Sequence, residues 1–322
     1  MRSLIAAAFI SLLGSLAISL PAAAAPVPTR SSVQQGRDEG QYTIAVDVDL
    51  VVFNVAVTDG KGRHVSGLKA SDFHVYEDNR LQDIKLFQAE DIPASVGLII
   101  DSSGSMMSKR ADVTKAALAF ANASNPDDEM FVVKFNENVY LGLPPAIPFS
   151  NDLDQIRSAL LRTAPAGFTA LYDALAVGIE HLKDGTRDRK ALVVLSDGGD
   201  NASHRRLDDV LKIARRSSAT IYTIGIYDDA DLDRNPHVLR KIAELSGGHA
   251  YLPASLNDLE RVWQDIAGRI RHQYTIGYHS SNSAHDGRFR NVRITASRNG
   301  VQGLRVTTRD GYLAPADKSI PR

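Results

Sequence analysis

The sequence predicts an α/β protein: a doubly wound, mostly parallel sheet with helices on both faces, inserted between two β-rich flanks that form one β-sandwich. Three observations predict it. Short uninterrupted apolar runs, such as residues 95–100 (SVGLII) and 191–195 (ALVVL), alternate with helical apolar spacing between residues 91 and 271. Strand-type alternation dominates residues 41–90 and returns over residues 272–313. Neither flank alone carries enough strands to bury a two-sheet core, so the two halves are expected to combine.

The chain of 322 residues is long enough for two domains at about 150 residues each. Apolar residues make up 43% and charged residues 23%, a globular balance rather than a disordered one. Lysine plus arginine is 37 against 38 for aspartate plus glutamate, so no bulk charge draws the chain to nucleic acid or an anionic membrane. The absence of cysteine excludes disulfides, thiolate zinc sites, Fe–S clusters, cysteine nucleophiles and an acyl-anchored cysteine. Any site chemistry must use oxygen and nitrogen.

Residues 1–25 read as a secretory signal. Arg2 precedes an uncharged apolar run from Leu4 to Leu20, then Pro21 and the small residues Ala22 to Ala25. As an uncleaved anchor the run would only just reach the lower limit of a membrane span. Export to the periplasm or the exterior is therefore expected, with no membrane span after cleavage. Residues 26–40 (PVPTRSSVQQGRDEG) read as a flexible leader and 314–322 as a tail.

From Tyr42 the pattern alternates, with a parity switch at Leu50–Val51 that implies a bulge or a change of face. Phe73–Tyr76 and Leu81–Phe87 are expected as two strands around Glu77-Asp78-Asn79-Arg80. In the central segment, strands are expected at residues 95–100, 130–135, 191–195 and 220–226. Helices are expected at 109–123, 152–162, 170–183, 207–216, 236–245 and 256–270, with Pro236 opening the fifth and Trp263 on the packed face of the last. Strands return at 274–278, 289–296 and 304–308.

Directly after the first buried strand stands Asp101-Ser102-Ser103-Gly104-Ser105. In an open α/β sheet, ligands bind outside the carboxyl ends of strands, where strand order reverses. One carboxylate and two hydroxyls there, on a loop made tight by glycine, suit a hard divalent cation that prefers oxygen ligands. Further oxygens are available from Thr169, opening the helix TALYDAL, and from Asp197 in SDGGDN after the strand ALVVL.

These motifs resemble the von Willebrand factor type A (VWA) domain with its metal-ion-dependent adhesion site. The resemblance covers about residues 92 to 270. The flanks VTDGKGRHVSGL–SDFHVYEDN and YTIGYH–DGRFRNVRI–RDGYL are similar to those of exported bacterial VWA-related proteins. It implies that Ser103 and Ser105 bind Mg²⁺ (or Mn²⁺ or Ca²⁺) directly, and Thr169 directly or through water. Asp101 and Asp197 would bind it or hold its waters. A protein partner would then present an Asp or Glu to the cation's open side. Phe168 stands where many family members have a second glycine, implying a bulkier rim.

Other marked residues carry less. Asp200 and Asn201 are candidates for outer support of the metal or for an Asx turn. Asp173 reads as a structural salt bridge or cap contact. The acidic run at residues 228–233 lacks the glycine and glutamate of a Ca²⁺ loop and reads as solvated. Arg205-Arg206 and Arg215-Arg216 read as solvated helix faces. The nine histidines form no zinc-hydrolase motif, no nucleophile elbow is present, and despite the Rossmann-like order of elements no glycine-rich loop leads to a phosphate-binding lysine. The expected function is a metal-dependent binding module and not an enzyme. The alternatives are a metal-assisted hydrolase at the same site, which lacks a His or Glu base in the motif loops, or a structural envelope subunit with a non-functional site.

Overall fold

The computed structural model describes residues 50–89, 91–162, 166–227, 234–298 and 303–316. The signal, the leader, the alternation before Leu50, the acidic run at 228–233 and most of the tail lie outside the described residues.

The chain enters through β1 (Leu50–Thr58), where Val51, Phe53, Val55 and Val57 point inward and are buried. Strand β2 (Phe73–Glu77) turns at Asp78 and Asn79, both with positive φ, as the tight twist-matched hairpin requires. The strand expected across residues 81–87 is divided at Asp83 into β3 (Arg80–Gln82) and β4 (Ile84–Gln88), which belong to different sheets. Within β4 the register slips at Lys85, so Ile84 pairs with Tyr278 and Leu86 with Gly277. Ile84 and Phe87 are of opposite parity, and a regular strand would bury only one of them. The slip turns both toward the core.

The inserted segment follows in chain order: β5 (Ala94–Asp101), α1 (Arg110–Ala123), β6 (Glu129–Phe135), β7 (Val139–Leu141), α2 (Leu153–Leu161), α3 (Leu171–His181), β8 (Arg189–Ser196), α4 (Leu207–Arg216), β9 (Thr220–Gly225), α5 (Pro236–Leu245), β10 (Ala250–Tyr251) and α6 (Leu259–Arg271). Its six-stranded sheet has the order β10-β9-β8-β5-β6-β7, parallel except for the edge strand β7. β5 is buried along its whole length and β8 at every residue but Lys190, which is why residues 95–100 and 191–195 read as unbroken apolar runs. Helix ends obey local chemistry: Asp152 caps α2 through the Asp154 amide, and Asn235 caps α5 through the Val238 amide ahead of Pro236. The short strands β7 and β10 carry too few residues to show a period and escaped the sequence reading.

After α6 come β11 (Tyr274–His279), β12 (Phe289–Ala296), β13 (Arg305–Thr307) and β14 (Gly311–Leu313), the last also unforeseen. These strands interleave with the first flank. One antiparallel sheet has the order β13-β1-β11-β4 and the other β14-β12-β2-β3. Phe53 pairs with Ile276 and Val75 with Ile294, and these residues share one apolar cluster with Val55, Phe73, Tyr274 and Val292. Each sheet thus draws on both flanks, and the α/β domain sits between β4 and β11 in the chain.

Glu77 is buried where the two sheets face each other, accepting hydrogen bonds from Tyr278 Oη (2.8 Å), Ser280 Oγ (2.6 Å) and Tyr312 Oη (3.0 Å). Hydrogen bonds to a buried charge contribute more than neutral ones. Tyr278→Phe removes one donor and is expected to lower the unfolding free energy by about 1.5–3 kcal/mol, read by urea denaturation. A change within error would show that the carboxylate is otherwise satisfied. Among the described residues no helix is long and apolar enough to cross a membrane.

Candidate functional site

The site begins with the end of a strand. β5 lies next to both β6 and β8, and the chain runs to one side of it and then to the other, so strand order reverses there. The carboxyl ends of β5 and β8 therefore flank the crevice expected of a doubly wound sheet. Asp101 is the last residue of β5, and Asp197 follows the last residue of β8.

The Asp101 carboxylate is buried. Its Oδ1 accepts the Ser103 amide (2.8 Å) and its Oδ2 the Ser196 hydroxyl (2.7 Å). Burial pushes its pKa up to about 6, against the pull of its hydrogen bonds with Ser103 and Ser196. The loop after it makes a single helical turn at Gly104–Met106, setting Ser103 Oγ 3.2 Å from Ser105 Oγ. Ser105 Oγ in turn donates to Asp197 Oδ2 (2.9 Å). Asp197 Oδ1 accepts the Gly199 amide (2.9 Å), which fixes the carboxylate's orientation. Gly198 has φ +81°, and a Cβ there would meet the Asn235 carbonyl oxygen at 2.4 Å, so the turn after β8 needs glycine.

Thr169 reaches this group by backbone bonding. The Gly104 amide donates to the Gly167 carbonyl (3.1 Å), tying the two loops together. The Thr169 amide donates to Asn201 Oδ1 (2.8 Å), and its carbonyl accepts the Asn201 and Ala202 amides. Among the described residues the Thr169 hydroxyl has no hydrogen-bond partner. Asn201 therefore holds Thr169 in place. Asp200 turns elsewhere, accepting the Tyr172 amide (3.2 Å) and the Ser203 hydroxyl (2.6 Å).

Asp173 is structural: it accepts the His204 amide (2.8 Å), the Arg205 amide (3.2 Å) and the Arg205 guanidinium (3.1 Å). Arg205 is thus an ion-pair partner, and Arg215 stacks over Phe289 with 5.5 Å to the ring centre, so two of the four basic residues expected to be merely solvated make specific contacts. Burial alone would raise the Asp173 pKa, but the bonds to His204 and Arg205 outweigh it and hold it below the usual 3.8. A depressed carboxylate stabilises the fold above its unfolded value and loses that contribution as pH falls through the folded value. Thermal midpoints of Asp173→Asn and the parent are expected to converge on acidification below pH 3.8 and to differ most above it. A constant difference across the range would contradict this.

Two exposed apolar side chains border the oxygens. Phe168 is 66% exposed and Met107 64%, higher than any other large apolar residue described. The Phe168 amide donates to Glu137 Oε2 (3.0 Å), a rim carboxylate that the sequence reading missed. Its signal was available, since Glu137 stands two residues past β6 at the same sheet edge. Among the described residues no group of three or more His, Cys, Asp or Glu converges, so this site is two carboxylates among hydroxyls.

Residues 95–265 match the sequence model of the von Willebrand factor type A domain. An uncharacterized protein of Synechocystis sp. is 28% identical over 167 residues, covering 49% of this chain and 37% of that one. A UPF0353 protein of Mycolicibacterium paratuberculosis is 24% identical over 208 residues, covering 57% of this chain. This chain's match spans 63% of that second relative, less than two thirds of either protein. Among solved structures, a von Willebrand factor type A protein from Catenulispora acidiphila aligns over 84% of this chain and 74% of its own. It is 16% identical, with a TM-score of 0.51.

Proposed function

The chain belongs to the von Willebrand factor type A domain family, and from that membership we propose that it is an exported binding module, with Mg²⁺ held by Asp101, Ser103, Ser105, Thr169 and Asp197. The observation that carries the reading is the spacing of the oxygens. Neighbouring ligands of an octahedral Mg²⁺ with bonds of about 2.0–2.1 Å stand about 2.9 Å apart. Ser103 Oγ and Ser105 Oγ are 3.2 Å apart, and Ser105 Oγ and Asp197 Oδ2 are 2.9 Å apart. The unbonded Thr169 hydroxyl adds a further donor of the right kind. Mn²⁺ and Ca²⁺ also accept such oxygens.

The residues divide the work by charge. Asp101 and Asp197 offset the cation's two charges, while the three hydroxyls bind without neutralising it further. Bound there, the cation supplies an electrophilic position that a partner's Asp or Glu fills as a charge-assisted ligand. Met107 and Phe168 offer apolar surface beside that position, available to side chains flanking the partner's carboxylate. Glu137 at the rim repels an ill-placed second carboxylate, which favours a single acidic residue.

Calorimetric titration of the mature chain with Mg²⁺ and Mn²⁺ tests the metal. One saturable site is expected, and no saturable binding of Mg²⁺, Mn²⁺ or Ca²⁺ would overturn the reading. A displayed library of Glu- and Asp-bearing peptides tests the partner. Retained sequences should elute with EDTA and lose binding on Glu→Gln. Retention indifferent to EDTA would refute the carboxylate–metal part alone.

A further inference from the structure

Away from the oxygen cluster, at the amino ends of the parallel strands, the α/β domain and the sandwich enclose a cavity of about 330 Å³. One wall is the outer face of a sandwich sheet. Val52, Gly277 and Leu86 lie side by side across β1, β11 and β4, with Asn54 beside Thr275 one pair further along that face. Gly277 places no side chain between Leu50 and Leu86: a Cβ there would lie 2.9 Å from the Leu86 Cβ and 3.3 Å from a Leu50 methyl. The opposite wall is the base of the α/β domain, with Ile92, Arg189 at the start of β8 and Thr220 at the start of β9.

Two guanidiniums meet at this cavity, and while the carboxylates of Asp91 and Asp128 act on Arg189 from a distance, no carboxylate among the described residues does so on Arg309. Arg189 is buried; its two Nη atoms donate to the carbonyls of Ile92, Ile270, Arg271 and Gln273, bracing the domain against the chain that leaves it, while its Nε is buried with no partner among the described residues. Arg309, half-buried over the Phe53 ring at 4.6 Å, donates to the carbonyls of Ser217 (3.2 Å) and Val52 (2.8 Å). A guanidinium has five N–H groups, so Arg309 keeps donors in hand. Among the described residues neither arginine forms an ion pair, and Asp188, exposed, is the acidic residue lining the cavity. Thr220 is a buried residue that lines the cavity, and its hydroxyl makes no hydrogen bond among the described residues. Buried charges and polar groups left without partners are costly, and a ligand of opposite charge relieves that cost.

We propose that this junction cavity binds a medium-chain alkyl carboxylate, with its carboxylate on Arg309 and Thr220 and its chain along Leu50, Val52, Leu86 and Ile92. Clefts between domains that combine apolar walls with a few polar anchors are the usual setting for small ligands, and their volumes start at about 300 Å³. Leu50 to Asn54 spans about 13 Å at about 3.3 Å per strand residue, room for an extended eight-carbon acid. The site is independent of the metal-binding reading, since it lies at the other end of the parallel strands.

The test is calorimetric titration of the mature chain with octanoate, octanol and acetate, repeated on Arg309→Gln and Leu86→Trp. Octanoate is expected to bind saturably. Octanol, which lacks the charge, and acetate, which lacks the chain, should each bind at least about tenfold more weakly, as expected for loss of a hydrogen-bonded charge or of buried methylenes. Both variants should weaken octanoate by a similar factor while still unfolding cooperatively. If Arg309→Gln does not fold, Thr220→Val, which removes a hydroxyl only, takes its place. Octanol binding as tightly as octanoate, octanoate binding unchanged in the variants, or no saturable binding would each overturn the proposal.

Discussion

Asp101→Ala is expected to abolish the rise in thermal midpoint that Mg²⁺ produces in the parent chain, while unfolding in EDTA stays cooperative. With metal at about 100 times Kd, linkage supplies about 2.7 kcal/mol to a protein that binds it only when folded. For a chain of this size that corresponds to a shift of about 5–10 °C. The variant loses the acceptor for the Ser103 amide and the Ser196 hydroxyl, so the Ser103–Ser105 turn loosens and its hydroxyls no longer hold their spacing. Asp101 closes a strand at the sheet edge, outside the apolar core of β5, so the fold should survive. Scanning calorimetry in EDTA and in millimolar Mg²⁺ reads both quantities. A Mg²⁺ shift equal to the parent's would remove Asp101 from the site, and a variant unfolded at room temperature would make it structural.

Trp263→Ala is expected to cost about 3–5 kcal/mol, the range for truncating a large buried aromatic. Trp263 lies on α6, is fully buried, and packs on Phe120 of α1 with ring centres 5.1 Å apart. Helix α6 leads directly into β11, a strand in the middle of a sandwich sheet, so loosening it should weaken both parts of the fold together. Trp263 is the single tryptophan, so urea denaturation must be followed by circular dichroism rather than fluorescence. A cost under about 1 kcal/mol would mean that the helix repacks around the cavity.

The legible parts of this protein are those whose cause is local. Strand β5 reads directly because burial on both faces demands an unbroken apolar run, and a polar residue ending such a run must stand at the sheet edge. Helix α5 reads from Asn235 and Pro236 because caps act within one turn. What was missed depends on partners far away in the chain. The division at Asp83 follows from the need to bury Ile84 against Tyr278 and still turn Phe87 inward, a requirement set by a strand nearly two hundred residues later. The place of Glu137 just past β6 was legible, but its bond to the Phe168 amide joins loops 31 residues apart that no local pattern pairs.

Taken alone, the sequence determined the kinds of elements, most of their order, the two β-rich flanks and five oxygen-bearing candidates, four at or after strand ends and Thr169 ahead of a helix. Periodicity, capping and turn chemistry are short-range, so they survive in a linear string. Tertiary structure alone decided that Ser105 meets Asp197 across 92 positions, that Asn201 rather than Asp200 holds Thr169, and that the flanks interleave in two sheets. It also decided that Arg309 reaches a cavity at the base of the α/β domain. Register, strand order and enclosed space arise when distant segments bury surface together, and no local pattern carries that information.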